Sequence, residues 1–271
     1  MNIFEANHAC KKMNGKMLIK DVSIHIAKGE KMAITGKNGS GKSSLLKLIG
    51  GIYRETEGQV KRAQVKIGYV PELFPENIRF TVSEYLRLLG NMSSHTDPKW
   101  LKRMEDYTEG FAISEFLHTP LKKCSKGTKQ KVGIIQVLLQ NPDLFLLDEP
   151  LTGLDDKSKK ELLNTLHSLD RDQTIIFTAH DPLLIEGLAN RVLTIESGRI
   201  VSDVATTKKE KERTIKAKIP RKEMMGEIPS VRHKWVEEDI VEITVSARES
   251  DRVLIMLLER KCSVLELIEK R

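Results

Sequence analysis

The chain has 271 residues, 39% hydrophobic and 31% charged, which suits one medium α/β domain with a small appendage, or two modest domains, and excludes wholesale disorder or a collagenous chain. Three scattered cysteines (Cys10, Cys124, Cys262) with no CxxC pair argue against a zinc site or disulfide framework and fit reduced thiols in a cytosolic protein. The formal charge of +7 is a mild excess, compatible with nucleic acid, anionic lipid or a phosphorylated ligand.

The opening MNIFEANHACKK lacks the apolar core of a secretory signal. No run approaches 18 apolar residues, so no bilayer span is expected and any membrane role must come through a partner. Met17 to Ile19 and Val22 to Ile26 read as strands, the second by alternation. Lys28-Gly29-Glu30 is a turn. Lys31 to Thr35 is a short apolar strand, followed at once by GKNGSGKSS at 36–44. Leu45, Leu46, Leu48 and Ile49 have helical spacing, and Gly50-Gly51 stops that helix. Val60 to Val70 reads as strand material, ended by Pro71. From Thr81 to about Gln140 the pattern is mainly helical. Leu144 to Leu147 is a continuous apolar run, as in a buried parallel strand, ending in Asp148-Glu149. A helix from about Asp156 to Leu169, a strand from Thr174 to Thr178 and a helix from Leu183 to Ala189 follow. Val192 to Ile195 and Arg199 to Val201 close as a hairpin.

After about Ala205 the composition shifts. Residues 208–222 hold eight basic and two acidic side chains, read as a solvated linker, with lipid contact as the alternative. No aromatic residues interleave with these charges, which argues against nucleic acid. The tail then offers a strand (Val241 to Val245), an amphipathic helix (Asp251 to Arg260) and a last strand or helix (Ser263 to Ile268). The domains expected are therefore 1–205, with a helical subdomain at about 78–140, and 206–271, a linker with a small α+β accessory domain.

GKNGSGKSS satisfies G-x-x-x-x-G-K-[ST] in full. Glycines let successive backbone N–H groups turn toward a phosphate, and the following helix offers its unpaired N–H groups to the same anion. Gly36, Asn38, Gly39, Ser40, Gly41, Lys42, Ser43 and Ser44 are the candidate nucleotide-binding positions. Lys42 is placed for the β- and γ-phosphates and Ser43 for Mg²⁺. Asp148, at the end of a buried strand, is the second candidate for holding Mg²⁺. Glu149, one residue on, is the candidate to polarise the attacking water. His180, after Thr178-Ala179, either contacts the γ-phosphate and orients that water or is simply a packed strand-end residue.

The chain resembles the nucleotide-binding domain of ABC transporters over roughly residues 1–205. Four elements carry the resemblance in the family's order: GKNGSGKSS (36–44), CSKGTKQKV (124–132), LFLLDEPLTGLD (144–155) and TAH (178–180). The implied fold is a P-loop NTPase with an ABC-type mixed sheet core, a helical subdomain and, here, a C-terminal α+β extension. The implied activity is Mg²⁺-dependent ATP hydrolysis, with ATP and Mg²⁺ as cofactors. Glu149 and His180 match the catalytic glutamate and switch histidine. Ser125 and Gly127 match the signature loop, which serves the γ-phosphate held by an opposite subunit. Leu154 and Asp155 match the loop that crosses the dimer interface. Glu72, in Tyr69-Val70-Pro71-Glu72, matches the Mg²⁺- and transporter-sensing position. Met13 stands where the family often stacks an aromatic on adenine. Lys126 replaces the first glycine of the usual LSGGQ, with Cys124 and Thr128 also departing from it.

The resemblance implies the ATPase subunit of a bacterial transporter, of the drug, bacteriocin and sodium exporter branch. Its partners would be a second copy or a paralogue, and separate transmembrane permease subunits at the inner face of the cell membrane. The competing readings are a soluble ABC ATPase acting on ribosomes or nucleic acid, and a regulatory member with weakened ATPase. A single phosphate loop and the 79 residues from 45 to 123, too few for a long coiled-coil insertion, count against the first. Intact Lys42, Asp148, Glu149 and His180 count against the second.

Overall fold

The computed structural model describes residues 1–92, 98–206, 212–219, 232–237, 239–246 and 249–269. The chain divides into two compact units, Met1–Thr206 and Thr207–Arg271. The first opens with a long hairpin, β1 (Asn2–Met13) and β2 (Lys16–Ala27), then β3 (Lys31–Thr35), α1 (Lys42–Ile49), β4 (Glu57–Arg62) and β5 (Ile67–Val70). Helices α2 (Val82–Met92), α3 (Pro98–Gly110) and α4 (Lys126–Gln140) follow. The unit ends with β6 (Leu144–Asp148), α5 (Asp156–Ser168), β7 (Thr174–Thr178), α6 (Pro182–Leu188), β8 (Arg191–Glu196) and β9 (Arg199–Ala205).

Six strands form one mixed sheet in the order β5-β6-β7-β3-β8-β9. It is parallel from β5 to β8 and antiparallel at β8–β9. The continuous apolar runs follow from burial on both faces. Phe145, Leu147, Ile175 and Phe177 point into a core with the helices of 82–140, α5 and α6. Leu144, Leu146, Ile176, Met32 and Ile34 point the other way, onto α1 and the antiparallel sheet β2-β1-β4. Both phenylalanines are fully buried, and truncating either to alanine removes about 3–5 kcal/mol of stability. The central strands β6, β7 and β3 are neighbours and parallel, so their C-terminal ends lie on one edge. That edge carries residues 36–41, Asp148-Glu149 and Thr178 to His180.

Four differences from the sequence reading have physical causes. The opening segment is a twelve-residue strand that alternation does not show. Register shifts between Ala6 and Ala9 and between Ala9 and Lys11, with His8 at φ 51°, reset its side-chain phase. Lys16–Ala27 is one strand rather than two. Residues 60–70 belong to two strands in different sheets, β4 beside β1 and β5 beside β6.

The fourth difference lies in the second unit. Its elements are β10 (Glu212–Lys218), β11 (Arg232–Trp235), β12 (Ile240–Ser246), α7 (Ser250–Glu259) and β13 (Ser263–Glu269). They form an antiparallel sheet of order β11-β12-β10-β13. Part of the basic run is thus an inner strand and not a linker. Ile215 and Ala217 are fully buried, with Val241, Ile243, Val253 and Leu257 around them. The lysines disguise a strand whose alternate residues make the core. The rest of the run, 208–211 and 220–222, lies outside the described residues.

Candidate functional site

The loop 36–41 joins β3 to α1 and is built on close backbone approaches. Gly36 has φ 141°, and a Cβ there would lie 2.2 Å from the Ile195 carbonyl oxygen. No larger residue fits without moving β8. Gly41 caps α1 with φ 114° and no side-chain hydrogen bond, and no acid sits in the first turn. The first-turn N–H groups are thus left to an anion. Ser40 anchors the loop from behind, its carbonyl accepting the Gly198 N–H at 2.7 Å.

Lys42 is 7% exposed. Its ammonium donates to the Gly36 carbonyl at 3.0 Å and to His180 Nε2 at 2.9 Å. Glu149 Oε1 lies 3.2 Å from His180 Nε2 and 3.7 Å from Lys42 Nζ, yet accepts no hydrogen bond. The two facts agree: an Nε2 that accepts from Lys42 has no proton to give Glu149. Burial pushes the Glu149 carboxyl above its ordinary range, opposed by the nearby positive charge of Lys42. Glu149 also stands at φ 46°, a left-handed conformation uncommon for a residue with a side chain.

Beneath these groups Asp148 is 2% exposed and fully engaged. Its Oδ1 accepts from the Ser43 hydroxyl at 3.0 Å and from the Thr178 hydroxyl at 2.7 Å. The Tyr69 hydroxyl reaches Oδ2 at 3.4 Å. A carboxylate and a hydroxyl in contact are hard oxygen donors, and that chemistry fits Mg²⁺ better than a softer ion.

Two cavities flank the loop, each of about 410 Å³. One is lined by Asn38, Gly39, Lys42, Ser43, Glu72, Glu149, Thr152 and His180. The other is lined by Lys16, Met17, Leu18, Lys20, Ser44, Ser197 and Gly198, together with Gly39, Gly41, Lys42 and Ser43. Gly39, Lys42 and Ser43 belong to both, so an extended ligand with a phosphate chain can cross from one to the other. The sequence reading missed Leu18, Ser197 and Gly198 because they arrive from other strands and loops. Thr152, inside the quoted LFLLDEPLTGLD, and Thr178, inside the quoted TAH, were within motifs but were not singled out.

Met13 is the register partner of Lys16 at the hairpin end and is 37% exposed. It is not among the cavity-lining residues; Met17 and Leu18 take that place. Ser125 and Gly127 are likewise absent from both linings. Ser125 caps α4, its hydroxyl accepting the Thr128 N–H at 3.0 Å. Gly127 packs on the loop after Glu149: a Cβ there would lie 2.4 Å from the Gly153 carbonyl oxygen. Asp155 caps α5 by accepting from the Ser158 N–H at 2.9 Å and takes a charged bond from Lys131 at 2.6 Å.

Lys131 and the cap hold the Asp155 carboxyl well below the usual carboxylate range. A depressed acid stabilises the fold above its unfolded pKa and loses that contribution as pH falls through its folded pKa. Asp155→Asn keeps the cap but not the charge. It should lower the unfolding free energy at pH 7 by about 0.5–1 kcal/mol, a figure held down by solvent screening of a half-exposed carboxylate. Thermal unfolding of both proteins from pH 7 down to pH 2 checks this, and the deficit should shrink below about pH 4.

The comparisons with known proteins follow the same outline. The ABC transporter family model matches residues 19–152. An uncharacterised ABC transporter ATP-binding protein of Methanocaldococcus jannaschii is 32% identical over 190 residues, covering 69% of this chain and 71% of that protein. The ABC transporter ATP-binding protein NatA of Bacillus subtilis is 30% identical over 199 residues, covering 68% and 80%. The zinc import ATP-binding protein ZnuC of Halorhodospira halophila is 30% identical over 191 residues, covering 69% and 71%. Among solved structures, the ATP-binding subunit of an ABC transporter superposes with a TM-score of 0.68 at 24% identity, covering 75% of this chain and 90% of that one. A dimeric ATP-binding cassette in a post-hydrolysis state, bound to ADP and Pi, gives 0.66 at 24%, covering 74% and 98%. At that identity the superpositions establish the P-loop fold with its mixed sheet and helical subdomain. With relatives of 30–32% identity matched over more than two thirds of their length, the chain belongs to the ATP-binding protein family of ABC transporters.

Proposed function

We propose that the chain is the ATP-hydrolysing subunit of a bacterial ABC transporter, working by ATP-driven closure of a dimer. The observation that carries this reading is the gathering of Lys42, Glu149 and His180 around one cavity, above the bonded pair Ser43–Asp148. Lys42 exchanges its contacts with Gly36 and His180 for the β- and γ-phosphates. Glu149, made more basic by burial, receives a proton from the attacking water. His180, freed from Lys42, holds that water and the γ-phosphate. Mg²⁺ held by Ser43, Asp148 and Glu72 would neutralise charge on the phosphate oxygens.

Ser125 and Gly127 lie outside their own chain's cavities, which supports a second copy or a paralogue in opposite orientation as the user of this loop. Lys126, at the exposed start of α4, would add modest attraction to the facing triphosphate. Asp155 would then work at the dimer interface. Met13 would border the base without lining its cavity. Residues 1–205 would suffice for nucleotide binding, and the tail would be separable. The membrane-spanning part of the transporter would be supplied by permease subunits; no described helix of this chain is long and apolar enough to cross a membrane. They would hold this chain at the cytoplasmic face and choose the cargo. Export is favoured by Glu72, shared with the exporter branch, while the relatives' names include both zinc import and linearmycin resistance.

Affinity purification from solubilised source membranes tests the assembly. The expected result is co-purification with a polytopic membrane protein in stoichiometric amount. Recovery with ribosomes and no membrane protein would replace this reading with the soluble one.

A further inference from the structure

Thr178 lies at the end of β7, opposite Asp148 in the β6–β7 register, and is fully buried. A threonine hydroxyl has one proton to give and lone pairs to receive. Here the proton goes to Asp148 Oδ1 at 2.7 Å, and a lone pair takes the backbone N–H of Glu149 at 2.8 Å. One oxygen thus holds two consecutive functional residues, one by its side chain and the other by its backbone. The second bond falls where it matters most, at the left-handed φ of 46°. The same residue's carbonyl accepts from the Thr152 N–H at 3.0 Å, so the Glu149 peptide is pinned on both sides. Its Oε1, by contrast, accepts no hydrogen bond among the described residues and has only the looser neighbours His180 at 3.2 Å and Lys42 at 3.7 Å. The hydrogen bonds that fix Glu149 are thus those of its backbone.

Asp148 Oδ1 also receives the Ser43 hydroxyl. Two donors share this oxygen, and only Thr178 comes from a strand, with a β-branched side chain that is stiff at χ1. Thr178 is the fixed donor of the pair.

We propose that Thr178 is a positioning residue, whose single hydroxyl sets the Asp148 carboxylate and the left-handed Glu149 backbone as one unit. This rests on the ATPase reading above. Thr178→Val keeps the shape and removes the hydroxyl; Thr178→Ser keeps the hydroxyl. In the valine protein, amide hydrogen exchange at Glu149 should quicken about tenfold or more, while the β6 amides before it stay protected. Nucleotide affinity in EDTA should stay within about twofold, since Lys42 and the loop are untouched. The Mg²⁺ concentration for half-maximal hydrolysis should rise, and kcat should fall about tenfold or more. The serine protein should restore all of these.

A general loss of packing would instead quicken exchange throughout β6 and weaken nucleotide binding in EDTA, and that pattern would overturn the proposal. So would a valine protein with wild-type kcat, Mg²⁺ requirement and Glu149 exchange. If the valine protein does not fold, the serine and alanine variants decide: equal loss in both contradicts a role for the hydroxyl. If wild-type protein shows no ATP hydrolysis, the ATPase reading fails, and the exchange experiment alone still decides whether Thr178 holds Glu149.

Discussion

Glu149→Gln should retain ATP and lose turnover by about 10²–10⁴-fold, the range for removing a general base. The substitution is isosteric and leaves the backbone bond to Thr178 and the Thr152 bond in place. It removes the proton acceptor and nothing else in the cavity. Binding should survive because Lys42 and the loop 36–44 are untouched, and because a carboxylate next to the terminal phosphate is replaced by a neutral amide. Phosphate release under saturating ATP and Mg²⁺ reads the rate, and equilibrium binding reads the affinity. A rate close to wild type would place the base elsewhere.

Lys42→Ala should weaken ATP binding by about 100-fold or more. Lys42 is the one charged side chain shared by the two cavities beside the loop, and a bond from an ammonium to a charged oxygen contributes about 1.5–3 kcal/mol each. Its hydrogen-bond partners are the Gly36 and Lys37 carbonyls and a histidine nitrogen, which are weaker acceptors than a triphosphate, and the Glu149 carboxylate stands further off at 3.7 Å. Replacement by alanine leaves those acceptors without that donor, so the loop itself loosens. Titration with a fluorescent ATP analogue, alongside thermal unfolding without ligand, separates the two effects. Unchanged affinity would make residues 36–44 a structural turn.

Much of the site was legible because its chemistry sits in contiguous runs. Gly36 to Ser44 and Leu144 to Glu149 each place several functional groups on one strand end, and the apolar runs of β6 and β7 are what a doubly covered strand requires. What escaped was set by contacts between distant segments. The long β1 was hidden because bulges around His8 break its alternation. The inner strand β10 was hidden because its outward residues are lysines and its core residues are only Ile215 and Ala217. Leu18 and Gly198 reach the nucleotide side of the loop only because the hairpin ends of two sheets pack against it; a Cβ on Gly198 would lie 2.8 Å from the Leu18 carbonyl oxygen. Thr178 was visible as a residue type, but its two hydrogen bonds, to Asp148 and from the Glu149 N–H, depend on the parallel register of β6 and β7.

In the proposed mechanism ATP works as an interface ligand, joining the phosphate loop of one copy to the signature loop of another. A ligand that binds the closed pair more tightly than the separate chains must shift the equilibrium toward the pair. Hydrolysis erases that shift, so the Glu149→Gln protein shows it best. Sedimentation velocity of that protein is the direct measurement, with ATP, with ADP and without nucleotide. The expected result is a dimer with ATP and monomer in the other two conditions, and reversal of the ATP effect by Lys42→Ala. A sedimentation coefficient indifferent to ATP at high protein concentration would contradict it.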